Sequence, residues 1–181
     1  MSTATLENRA GTTTLRTLYF VRFGFALVWA ILMLAIAKTI TPVAGVLLVL
    51  YPLFDVAAAI VDFRTSGTTR PKTPLYANMA LSLLAALGVA LAAASGIPSV
   101  LRVWGAWAIT AGLVQLLVAI LRYRLGAQLP MILSGAISAL AGTSFILMAD
   151  GTKASLTSVA GYAFLGGIFF LLSAIRLAGK H

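Results

Sequence analysis

Hydrophobic positions in this chain do not alternate with polar ones. They run on in six stretches of about twenty residues, separated by short polar connections. A helix rising about 1.5 Å per residue needs roughly twenty apolar residues to cross a hydrocarbon core of roughly 30 Å. Membrane spans are therefore predicted near residues 18–37, 43–63, 75–95, 99–121, 127–148 and 155–177. The runs are continuous and dominated by Ala and Leu rather than by β-branched residues, which favours helices over a transmembrane barrel. The predicted fold is all-α, an integral membrane six-helix bundle over residues 16–178. The Ser- and Thr-rich lead, residues 1–15, reads as a disordered cytoplasmic tail. The first apolar stretch is too long for a cleavable signal peptide.

Composition agrees: 61% of the 181 residues are hydrophobic and only 9% are charged, where soluble domains carry about 25%. The formal charge of +9 does not imply nucleic acid as a partner, because the cations sit at helix ends rather than along one surface. If the chain crosses the membrane six times, ten of the thirteen cations fall on the side of the termini, leaving Lys38, Arg102 and Lys153 opposite. Basic residues accumulate on cytoplasmic loops. The expectation is a multi-pass protein of the inner (plasma) membrane with both termini in the cytoplasm, the lipid bilayer being its first partner.

Segments 51–60, 111–120 and 166–175 align, each closing on Ala-Ile, with Pro52, Gly112 and Gly167 in register. Seven residues earlier Gly45, Gly105 and Ala160 coincide, and seven residues return to nearly the same helix face. In the odd helices Gly24 matches Gly135, and Gly88 matches Gly142. Three tandem helical-hairpin repeats is the economical reading. Small residues at such positions let helix backbones approach closely in lipid; lining a pore is the other use open to them.

The motifs Arg22-Phe-Gly24 and Trp29-Ala-Ile31, Tyr51-Pro-Leu-Phe-Asp55, and the segments 105–122 and 133–142 stand out along the chain. In them the chain resembles the HdeD-type membrane proteins, which are built from short hydrophobic repeats. Where the family usually has Gly after the Asp, this chain has Val56. The resemblance implies a six-helix inner-membrane protein, some members being associated with acid or stress resistance, and it brings no assigned biochemical activity.

Ionisable residues inside a span are expensive, at roughly 2.5–3.5 kcal/mol even on the lower scales. Arg22 lies about 7 Å and Asp55 about 12 Å from the cytoplasmic end of their helices. An extended arginine bridges that difference, so an Arg22–Asp55 ion pair is expected. Asn78, Gln115 (the repeat equivalent of Asp55) and Ser134 fall at similar depth and complete a predicted polar layer. Two readings are open. The layer is interhelical glue, or Asp55 relays protons or binds a cation along a hydrated path. Asp62, seven residues after Asp55, extends the stripe or is a solvated helix end. Tyr19, Tyr76, Trp104, Tyr123 and Tyr162 read as interfacial anchors. Trp29 reads as packing between helices, and Pro52 as a kink beside the acid.

Catalytic machinery is not expected. There is no cysteine, the single histidine is the last residue, and the four carboxylates are dispersed, so neither a metal site nor a nucleophile–base pair assembles. No glycine-rich phosphate loop is present; no cofactor is expected. The reading that follows is a non-enzymatic envelope protein, with a role in stress or acid tolerance implied by the resemblance. The alternative is a small transporter or channel for protons or another small solute using Arg22 and Asp55. A third reading makes the chain a membrane partner of another protein, docking through the basic loop 64–72. Ala85, Gly88 and Ala92 offer a small-residue face that serves homo-oligomerisation or packing inside the monomer.

Overall fold

The computed structural model describes residues 3–65, 72–121, 123–125, 129–152 and 154–178, with side chains from Thr13 onward except those of Leu125 and Ala178. The described residues form six helices: α1 (Thr3–Ile36), α2 (Pro42–Thr65), α3 (Thr73–Ala93), α4 (Ile97–Leu121), α5 (Leu129–Ala149) and α6 (Thr157–Ala178). A single turn of 3₁₀ helix, Tyr123–Leu125, follows α4. All six are long and apolar enough to cross a membrane, and no strand occurs among the described residues. Of the basic loop 64–72, residues 66–71 lie outside the described residues.

Helix starts follow local chemistry. Pro42 is the first residue of α2, and Pro74, Pro98 and Pro130 are the second of α3, α4 and α5. There a missing N–H leaves no hydrogen bond unmade and the fixed φ suits the helix. The Thr41 hydroxyl accepts the backbone N–H of Ala44 at 3.2 Å, capping α2. The tight α3–α4 turn needs Gly96, whose φ is +93°.

The first helix is longer than the span expected for it. Residues 3–15, read as a disordered lead, continue α1 back to Thr3. No proline interrupts this stretch, and its inner end is held: Leu15 and Leu18 are buried with Ala58 against Phe54 and Leu177.

The helices form a ring. α4 packs most extensively against α5 and α1 against α6; α2 meets α3, α3 meets α4, and α1 meets α2. Successive helices run antiparallel, as the pairs Arg22–Asp55 and Trp29–Leu47 show for α1 and α2. The α5–α6 junction that closes the ring is sparse. The hairpins suggested by the repeat are thus not the tightest pairs, since α5 and α6 touch least. Small residues explain the strongest junction. Gly105 lies against Gly142 and Gly112 against Gly135, each so close that a Cβ would stand 2.5–2.8 Å from the opposing carbonyl oxygen. Ala85 and Ala92 are buried, and Gly88 faces Val103 of α4. The small-residue face of α3 therefore packs inside the monomer.

The half of the bundle away from the termini is filled. Trp29 and Met33 of α1, Leu48 of α2, Val89 of α3, Leu101 and Trp104 of α4, Phe145 of α5 and Val159 of α6 share one core, each at most 2% exposed. The outer surface carries the large aliphatics: Leu91, Leu121, Leu140 and Leu147 are all more than 70% exposed. Such a girdle is intolerable in water and ordinary in lipid.

Candidate functional site

Asp55 is the centre of the polar layer. Its position on α2, one turn after Pro52, turns the carboxylate inward toward α1 and α3. Arg22 Nη2 donates to Asp55 Oδ1, forming the expected ion pair. Asp55 Oδ2 accepts two further bonds, from Asn78 Nδ2 at 2.7 Å and from Ser82 Oγ at 2.8 Å. Asn78 and Ser82 are four residues apart and so share one face of α3. Three donors from two helices thus serve both oxygens of one carboxylate. The Arg22 guanidinium also lies over the Phe170 ring of α6, 4.1 Å from its centroid, a cation–π contact. The side chains of Arg22 and Asp55 are 15% and 13% exposed.

That residual exposure comes from a cavity of about 460 Å³ lined by residues of all six helices. Its wall runs from Tyr19, Pro130 and Arg176, toward the end that holds both termini, to Tyr51, Trp107 and Tyr162 in mid-bundle. The predicted members Gln115 and Ser134 both line it. Neither is shown bonded to Asp55: Gln115 Nε2 donates to the Met131 carbonyl at 3.0 Å, tying α4 to α5. The predicted layer is therefore two things, a bonded cluster of Arg22, Asp55 and Asn78, and a wall that includes Gln115 and Ser134.

Ser82 was not among the residues expected. It is fully buried, and the signal for it was its i, i+4 relation to Asn78. Replacing Ser82 with alanine removes one of the two donors to Oδ2. The expected cost is about 0.6 kcal/mol, the mean for interhelical hydrogen bonds in membranes, measured as a lower unfolding midpoint in detergent. A loss several times larger would mean that the serine does more than share the carboxylate.

The cavity ends on a floor of rings, those of Tyr51, Trp107 and Tyr162, behind which Trp29 and Trp104 are packed. Trp29 and Trp104 stack with centroids 5.6 Å apart, and Tyr51 packs on Trp29, Trp104 and Trp107 at 4.7–6.2 Å. Trp29 Nε1 donates to the Leu47 carbonyl at 2.6 Å, one residue before the Leu48 carbonyl that Pro52 cannot serve. The indole nitrogens of Trp104 and Trp107 are buried without acceptors. α2 passes through Pro52 as one helix.

Two predicted interfacial anchors are interior residues. Trp104 is 0% exposed in the core behind the cavity, and Tyr162 pairs its hydroxyl with Ser138 at 3.0 Å, bridging α6 to α5. Tyr76 and Tyr123 are exposed at 56% and 62%, as anchors require. Trp29 packs between helices as expected. No family model, curated protein or solved structure matches this chain, so the site is read from its own geometry.

Proposed function

We propose that this is a non-enzymatic multi-pass protein of the inner membrane, with both termini cytoplasmic, in which the Arg22–Asp55 cluster is architecture rather than a proton path. The observation that carries this reading is the saturation of Asp55. Both oxygens of this carboxylate are taken up by an arginine, an amide and a hydroxyl, so that it ties α2 to α1 and α3. The closed core beyond the floor supports the same reading, because a relay needs water on both sides of the acid. Ten cations on the terminal side support the orientation, and the resemblance to HdeD-type proteins motivates a role in envelope stress or acid tolerance. The repeat positions Pro52, Gly112 and Gly167 support descent from three tandem hairpins.

The second reading, a small transporter or channel, is favoured by the cavity, which reaches the middle of the bundle from one end. Proton flux into liposomes under an imposed pH gradient separates the two. The expected result is no flux above empty liposomes for the natural chain, for Asp55→Asn or for Arg22→Gln. Flux that is present in the natural protein and vanishes in folded Asp55→Asn would make this a proton pathway.

A further inference from the structure

We infer that the cavity binds an organic monoanion with an apolar body, its acidic headgroup toward the terminal end and its body against the aromatic floor. This goes beyond the proposed function and does not depend on whether Asp55 exchanges protons.

Charge comes first. Two guanidiniums, Arg22 and Arg176, face one carboxylate in the wall, and that carboxylate is already served by Arg22, Asn78 and Ser82. The described wall therefore retains one positive charge without a counterion. A guanidinium has five N–H donors, and Arg22 spends one nitrogen on Asp55, so it keeps capacity for a second acceptor. Arg176 is exposed at the other end of the cavity, in the last turn of α6, where an incoming anion meets it first.

Polarity along α6 comes second. Tyr162, Gly166, Phe169, Ser173 and Arg176 follow one another at spacings of three or four and all line the cavity. One helix face thus grades from an aromatic depth through an apolar middle to a hydroxyl and a cation at the mouth. That gradient matches an amphiphile lying lengthwise and does not match a small hydrated ion. The volume, about 460 Å³, falls in the usual range of small-molecule sites, roughly 300–1,000 Å³.

Access comes third. The α5–α6 junction is sparse, and toward the termini the cavity is lined on one side of it by Pro130, Met131 and Ser134 and on the other by Ser173 and Arg176. A ligand can therefore arrive from water at the mouth or from the bilayer between these two helices.

The chain reports on its own cavity, because Trp107 lines it and the other two tryptophans, Trp29 and Trp104, lie behind it in the same ring cluster. The test is a fluorescence titration of the purified full chain in neutral detergent with decanoate, against decanol and decyltrimethylammonium of equal chain length. Saturable binding of decanoate, at least tenfold tighter than either control, is expected. Arg176→Gln should weaken it about tenfold with the melting temperature unchanged, and Arg176→Lys should restore most of it. Ser134→Trp, which fills the wall without touching the charges, should abolish binding in a protein that still melts cooperatively. Equal response to the cationic and anionic amphiphiles, or decanoate binding that survives both Arg176→Gln and Ser134→Trp, overturns the proposal. In lipid nanodiscs, decanoate binding that weakens when a monoanionic phospholipid replaces neutral lipid would identify the bilayer as the source. Decanoate binding that this exchange leaves unchanged would identify the water phase. Liposome flux does not enter this test, so the binding proposal and the architectural reading of Asp55 fail independently.

Discussion

Replacing Asp55 with leucine lowers stability by about 3 kcal/mol, and adding Arg22→Met to that variant recovers most of the loss. Removing one partner of a buried pair costs about 3–5 kcal/mol because the other charge is left uncompensated, whereas replacing both with apolar groups is often neutral. The lower end applies here, since the cavity leaves Arg22 and Asp55 13–15% exposed and partly hydrated. The double variant strands only Asn78 and Ser82, which are neutral. Denaturant or thermal unfolding in one detergent measures all three proteins. Additive losses in the double variant would show that the two side chains act separately and that the pair is not the unit.

The second large effect is expected where no side chain exists. Gly112→Ala, Gly135→Ala and Gly142→Ala should each destabilise by about 1–3 kcal/mol, the cost of overpacking, although alanine is the better helix former. At Gly112 the new Cβ would lie 2.7 Å from the Gly135 carbonyl oxygen and 2.9 Å from the Ala139 nitrogen. Backbone atoms cannot swing aside, so α4 and α5 must separate along their whole contact. Gly24, Gly45 and Gly161 have nothing within 4 Å of the equivalent position, and the same substitution there should be neutral or slightly stabilising. Melting temperatures of the six single variants make the comparison. Equal effects at both sets would mean that helix propensity, not close approach, decides.

These two predictions differ in how far they could be seen in the chain itself. The six helices were legible because hydrophobic length is a one-dimensional property, and the Arg22–Asp55 pair because depth along a helix is arithmetic. What depth does not report is rotation about the helix axis. By position along their helices Trp104 and Tyr162 read as headgroup-layer aromatics, yet both point inward, into the core and toward Ser138. Gln115 was placed at the right depth and turns toward Met131 rather than Asp55. Ser82 was missed because serine is common in membrane helices and acquires meaning only beside a carboxylate on another helix. The seven-residue spacing of Gly105 and Gly112 marked a packing face. That Gly142 and Gly135 meet it in reverse order depends on which helices become neighbours, which no single helix encodes. The polar composition of the lead before Leu15 suits disorder, whereas the helix it continues is anchored by contacts of Leu15 and Leu18 with α2 and α6.

The sparse α5–α6 junction has a mechanical consequence. A ring of packed helices shares lateral pressure among its contacts, and each contact resists separation in proportion to the surface it joins. α4 and α5 are locked by glycines, and α1 and α6 meet over a long interface. Stretching, thinning or curving the surrounding bilayer therefore loads the bundle unevenly, and the strain collects between α5 and α6, the ring's sparsest junction among the described residues.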